Sequence, residues 1–288
     1  MRPALVPRIA SALPLVLMGL CALGCGRSPF ELEELIEELE LDDPVVGGCR
    51  KVDYLFVIDN SASMGDNQAK LVDSFDVFID GVQETQQTLE SIHVGVVSTD
   101  GYVGNEGSCA EHGGLITRTV GHNSSEAQCG PYAEGHNYMT EADDLHEAFT
   151  CAAQVGTTGS TEEHPLEALT SAVGDDLSGP GECNEGFIRD DALLVAVIVT
   201  DEDDDAPLDS RYETLVEAKG GRSDNIVMVG LINEPNTDCS LSGHAREAHN
   251  LYEFIGLFAH SFVSPVCGDY SVAFEQAISV VQAACWDA

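Results

Sequence analysis

Four stretches of this chain are apolar almost without a break: Tyr54–Ile58, Ile92–Val97, Leu193–Val199 and Ile226–Ile232. Most of their residues are β-branched. A strand with one wet face alternates apolar and polar residues, whereas continuous apolarity means burial on both faces, as in a parallel sheet covered by helices. Between and after these runs lie segments with helical spacing: Leu71, Val72, Phe75, Phe78, Ile79 and Val82; Leu251, Phe254, Ile255 and Phe258; Tyr270, Phe274, Ala277, Ile278, Val281 and Cys285. The alternation predicts an α/β fold, an open, doubly wound and mostly parallel sheet with helices on both faces. Leu115–Val120 is more polar and suits an edge strand, and the expected sheet carries one antiparallel edge strand. In such a sheet ligands bind outside the carboxyl ends of the strands, so the functional search narrows to the loops that emerge there.

Charge removes one class of function. The 288 residues hold 12 Lys plus Arg against 50 Asp plus Glu, a net charge of −38. That leaves no basic surface to neutralise phosphates, so nucleic-acid binding is not expected as the main role. Cations and cationic partners are the electrostatically favourable company. With 22% charged and 43% hydrophobic residues, the composition is that of a folding chain and not of a disordered polyanion.

Residues 1–24 read as an export signal: Arg2 and Arg8 flank the start, and Ile9 to Ala22 is nearly unbroken in its apolarity. The stretch is shorter than the roughly 20 residues of a spanning helix and contains Pro14. It ends in Ala22-Leu23-Gly24-Cys25, which resembles a bacterial lipobox, with a departure at Ala22 where that motif prefers Leu. The resemblance implies lipidation of Cys25 and a membrane anchor in the bacterial envelope; simple cleavage near Gly24 is the alternative. Gly26 after Cys25 does not look like an inner-membrane retention signal, which favours the outer membrane. Residues 25–48, with the acidic run Glu31–Glu40 followed by Asp42, Asp43 and Pro44, are expected to be a solvated tether.

Residues 49–288 form the expected domain, with an insertion at about 102–138 that is rich in Gly and lacks a regular pattern. Long irregular loops on a compact domain either serve function or are inert, stapled ornament. With Cys21 in the signal and Cys25 reserved for lipid, eight of the 10 Cys remain: Cys49, Cys109, Cys129, Cys151, Cys183, Cys239, Cys267 and Cys285. An even set in an exported chain predicts four disulfides. A zinc site from Cys109, His112, His122, Cys129 and His136 competes with this reading, but the spacing fits no compact metal knuckle.

The loop after the first run reads Asp59-Asn60-Ser61-Ala62-Ser63. Asp, Ser and Ser at alternate positions can turn three oxygens to one point, which suits hard divalent cations. Alone, the pattern is as well explained by an Asp cap entering a helix. A second acidic strand end follows Val199, at Thr200-Asp201, and Gly156-Thr157-Thr158-Gly159 precedes a helix beginning at Pro165. This ordered set resembles the von Willebrand factor A domain, a Rossmann-like α/β fold, and its metal-ion-dependent adhesion site; the resemblance spans Lys51 to about Ala284. It implies direct hydroxyl ligation by Ser61, Ser63 and Thr157, with Thr158 as the alternative register because the family's Gly-Gly-Thr is lacking. It also implies that Asp59 and Asp201 act largely through bound waters. The cofactor it implies is Mg²⁺, Mn²⁺ or Ca²⁺, with one position left for a carboxylate of a protein or peptide ligand. Chain ends lie close together in this fold, which implies a Cys49–Cys285 bridge.

Asp201-Glu202-Asp203-Asp204-Asp205 imitates the start of an EF-hand loop, but Ala206 and Tyr212 stand where its Gly and bidentate Glu belong. Beyond Asp201 the run is expected to be a solvated acidic rim, with Asp203 and Asp205 as a candidate second cation site. Enzymatic motifs are missing: there is no Gly-x-Ser-x-Gly elbow, P-loop or His-Glu-x-x-His helix. The haloacid dehalogenase pattern wants Asp where Ser61 stands. The expectation is a non-enzymatic adhesion or scaffolding module, with a metal-dependent envelope hydrolase as the alternative.

Overall fold

The computed structural model describes residues 49–85, 89–237, 239 and 246–287. The expected signal, Cys25 and the tether lie outside them. The sheet is built outward from strand β1 (Lys51–Ile58), which is buried from Val52 onward. β1 pairs in parallel with β2 (Ser91–Ser98) on one side and β4 (Leu193–Val199) on the other. β4 continues to β5 (Ile226–Ile232) and β5 to β6 (His260–Pro265), all parallel. The antiparallel edge is β3 (Met139–Thr140), against β2, so the order is β3-β2-β1-β4-β5-β6.

Period-two alternation divides β1 between two cores. Tyr54, Phe56 and Ile58 face a layer that includes helices α1 (Gly65–Thr85), α2 (Leu145–Ala153) and α7 (Tyr270–Asp287). Leu55 and Val57 face α3 (Pro165–Val173), the single turn α4 (Asp175–Ser178), α5 (Leu208–Ala218) and α6 (His249–Ile255). Both faces of every central strand therefore exclude water, which is why the sequence runs are continuous. In the first layer Phe75 and Phe149 stack at 3.6 Å between ring centroids, and Phe56 meets Phe149 edge-on at 4.7 Å. Truncating Phe56 to Ala would cost about 3–5 kcal/mol in lost burial and cavity formation. Among the described residues no helix is long and apolar enough to cross a membrane.

The edge strand is not where the sequence put it. Leu115 and Ile116 are buried, and one backbone bond, Ile116 N–H to Val96 O at 2.8 Å, touches β2, while side chains take the backbone groups of Leu115. The Leu115 N–H donates to Asn184 Oδ1 at 3.0 Å, and Asn105 Nδ2 donates to Leu115 O at 3.0 Å. Further on, Thr119 N–H bonds to Ala127 O and Cys129 N–H to Thr117 O, so this segment closes a local hairpin within the insertion. β6, which carries only Phe262 and Val263 as large apolar residues, was not foreseen.

All eight remaining Cys form bridges: Cys49–Cys285, Cys109–Cys183, Cys129–Cys151 and Cys239–Cys267. The expected first pair is present, with Cα atoms 4.8 Å apart at a sequence separation of 236. The second and third tie the insertion to the body of the domain.

Candidate functional site

At the carboxyl end of the sheet the three central strands hand over to loops at one level. Asp59 N–H bonds to Val199 O at 3.0 Å, and Thr99 N–H to Ile58 O at 3.3 Å. Asp59 is fully buried and its carboxylate is engaged on both oxygens: Oδ1 accepts the Ser61 N–H at 2.7 Å and Oδ2 the Thr200 hydroxyl at 2.6 Å. The Asp59–Ser61 bond curls the loop, and the curl brings Ser61 Oγ to 3.2 Å from Ser63 Oγ. Ser63 Oγ in turn donates to Asp201 Oδ1 at 3.1 Å, across 138 residues of sequence. Hydrogen bonds thus link Asp59, Ser61, Ser63 and Asp201 in one series, with oxygen-to-oxygen contacts at Ser61–Ser63 and Ser63–Asp201.

Its spacing has chemical meaning. Adjacent oxygens around an octahedral Mg²⁺, with bonds of about 2.1 Å, stand about 3.0 Å apart. The two contacts at 3.2 and 3.1 Å are close to such edges. Among the described residues no group of three or more His, Cys, Asp or Glu is gathered to hold an ion. This series contains two carboxylates and completes itself with hydroxyls, a donor set that fits a hard divalent cation and not zinc.

Gly156, at φ +91°, turns its N–H toward Gln68 Oε1 at 3.1 Å, a backbone state that suits glycine. Gln68 Nε2 donates to both Gly156 O at 2.8 Å and Asp59 O at 2.9 Å, so one buried amide clamps the threonine loop to the serine loop. Sequence reasoning missed Gln68, although it occupies the inward stripe of α1, three and four residues before Leu71 and Val72. The Thr157 methyl lies beside the first turn of α1, 3.6 Å from where a Cβ on Gly65 would stand. Its hydroxyl bonds to His122 O at 3.2 Å and lies 3.3 Å from both His122 Nδ1 and Asn123 Nδ2. Thr158 is exposed, and its side chain leans on Gly121. The structure therefore joins four of the five expected ligands directly and holds Thr157 one loop away, bonded to the insertion. The insertion thus reaches the candidate site.

The acidic run after β4 is not a solvated rim throughout. Asp203 accepts the N–H groups of Asn250 and Leu251 at 3.1 and 3.0 Å, capping α6. Asp204 is buried and accepts from Leu166 N–H at 2.9 Å and Ala206 N–H at 2.7 Å. Of Asp203, Asp204 and Asp205 only Asp205 is exposed, so Asp203 and Asp205, the candidate second cation pair, are turned to different tasks.

Electrostatics at this face are one-sided. Burial pushes the Asp59 carboxyl up to about 6 against the hydrogen bonds from Thr200 and Ser61, and Asp201 adds to the rise. A residue that sequence reasoning overlooked, Glu163, sits beside them and is buried. Burial first and Asp59 second push its carboxyl up to about 9, opposed by a hydrogen bond from Thr99.

No protein-family profile matches the chain, and no curated protein matches it. Among solved structures it is similar to a von Willebrand factor type A protein from Catenulispora acidiphila, at 13% identity and a TM-score of 0.39, over 82% of this chain and 43% of that one. It is also similar to proximal thread matrix protein 1 from the mussel byssus, at 10% identity and a TM-score of 0.42, over 81% of this chain and 49% of that one. The chain spans about half the length of these proteins. Its α/β class, mostly parallel with one antiparallel edge, rests on its own strand order and register.

Proposed function

We propose that this chain is an exported binding module, anchored in the bacterial envelope through lipidated Cys25, that holds a carboxylate of a protein or peptide ligand on a divalent cation. Asp59, Ser61, Ser63, Thr157 and Asp201 hold the cation, which is Mg²⁺, Mn²⁺ or Ca²⁺. The observation that carries this reading is the run of oxygens from Ser61 through Ser63 to Asp201 at near-octahedral spacing, on a loop curled by the Ser61 N–H bond to Asp59. Hydroxyl ligands are neutral, so they leave more of the ion's charge for an incoming carboxylate than carboxylate ligands would. That preference makes the site a receptor for an outside acid, in a chain whose net charge of −38 would otherwise repel one.

Isothermal titration of the full, disulfide-bonded chain with each metal tests the first half of the proposal. One divalent ion bound per chain, with binding lost in Ser61→Ala, is the expected result; no uptake of any of the three ions would refute it. Immobilised peptides with acidic side chains, run with and without EDTA beside a panel of phosphate and carboxyl esters, test the second half. Chelator-sensitive capture without turnover is expected, and metal-dependent hydrolysis would replace the binding module with an enzyme.

A further inference from the structure

The loop from Thr157 into α3 is tied down across the carboxyl ends of the central strands. Gly159 N–H donates to Asn60 O at 2.9 Å, Ser160 N–H to Asp100 Oδ2 at 2.6 Å, and Leu166 N–H to Asp204 Oδ2 at 2.9 Å. Between the last two anchors Glu163 turns inward and is only 4% exposed. Its Oε2 accepts the hydroxyl of Thr99, whose own N–H bonds to Ile58, the residue before Asp59. Its Oε1 is buried and has no hydrogen-bond partner among the described residues. The charges that act on it most, Asp59, Asp100 and Glu202, are all negative. Buried carboxylates are ordinarily matched by a donor or a cationic side chain. Here the loop's anchors hold a buried, unsatisfied carboxylate oxygen close enough to Asp59 to feel its charge.

Building on the cation reading above, we propose that Glu163 belongs to the same site, its Oε1 accepting a hydrogen bond from a water bound to the cation. Contact through water agrees with the spacing of the carboxylates, which are not gathered within direct reach of one ion. It also gives Thr99 a role: its hydroxyl fixes Oε2 and thereby the direction of Oε1. Glu163 is a positioning residue for the hydrated ion and leaves the direct places to the hydroxyls.

The test titrates Ca²⁺ and Mn²⁺ into the full chain and its Glu163→Gln and Ser61→Ala variants, with melting in EDTA as the measure of folding. Glu163→Gln keeps the shape and the Thr99 contact but lacks the charge. A loss of roughly 10–100-fold in cation affinity, with the EDTA melting temperature no lower than wild type, is expected. Unchanged affinity in Glu163→Gln while Ser61→Ala abolishes binding would overturn this inference and leave the cation site standing. Absence of binding in the wild type would refute the cation site itself. Should Glu163→Gln fail to fold, Thr99→Val carries the test: reduced affinity supports the inference and wild-type affinity overturns it.

Discussion

Strand β1 carries two fully buried aspartates, Asp53 near its start and Asp59 just beyond its end, and the protein treats them in opposite ways. Asp53 is enclosed by positive charge: Arg189 donates to it through Nε at 2.7 Å and through its backbone N–H at 2.8 Å. The same guanidinium binds Ser91 Oγ and Val52 O, and buried Lys219 holds the Arg189 carbonyl. Burial raises the Asp53 carboxyl and Arg189 pulls it back. Asp59 receives hydrogen bonds from Ser61 and Thr200, and its acidic neighbours Asp201 and Glu163 repel it. One end of the sheet is an electrostatically closed structural pair; the other is left short of positive charge. A buried acid that the fold balances holds the fold together, whereas a buried acid that the fold leaves unbalanced marks a candidate functional site.

The balanced end should be the costly one to disturb. Its bridge, Cys49–Cys285, spans a sequence separation of 236, and the Cys49→Ser, Cys285→Ser pair should lose up to about 5 kcal/mol of unfolding free energy in urea. Asp53→Asn leaves Arg189 buried without its counter-charge and should cost about 3–5 kcal/mol by the same measurement, with cation uptake by the folded protein intact.

The unbalanced end should reveal itself through pH. Asp59 and Glu163 have carboxyls raised in the folded state, so the stability they contribute is present below their ordinary values of 3.8 and 4.5 and is lost as pH rises through about 6 and about 9. The melting temperature in EDTA should therefore fall as pH rises from about 4 to about 9, with Glu163 alone responsible above about pH 6. Glu163→Gln should flatten that fall, and saturating Ca²⁺ should offset it. The smallest effect is reserved for Asp59→Asn, the counterpart of Asp53→Asn. It should alter stability in EDTA by no more than about 1 kcal/mol and yet abolish calorimetric cation binding. Equal destabilisation by the two Asn substitutions would erase the distinction between the ends of the strand.

The features legible in sequence were those whose cause is local or repeated. Four strands announced themselves because burial on both faces demands apolarity at every position, and Asp59, Ser61 and Ser63 because a short curl brings them together. Asp201 followed from its place at a strand end. What escaped depends on distant tethers. Glu163 precedes Pro165 and reads as an ordinary acid at a helix start; its burial comes from the anchors at Ser160 and Leu166. Leu115–Val120 had the composition of an edge, but the amides of Asn105 and Asn184 take up the backbone groups of Leu115, and Thr117 and Thr119 pair within the insertion. Asp203 and Asp204 looked like solvent-facing charge, and their partners on α6 and α3 lie dozens of residues away. Gln68 is the intermediate case, a polar residue on an apolar stripe, where the anomaly alone was a sufficient signal.

The covalent link between Cys49 and Cys285 also bears on force. A pull arriving through the residues before Cys49 enters the domain two positions ahead of β1, at the middle of the sheet. The sulfur bridge passes part of that load straight into the far end of α7, so tension is shared between a central strand and the closing helix instead of peeling the strand from its neighbours. The rim where Asp59 and Asp201 lie is at the other ends of β1 and β4 from that point of entry.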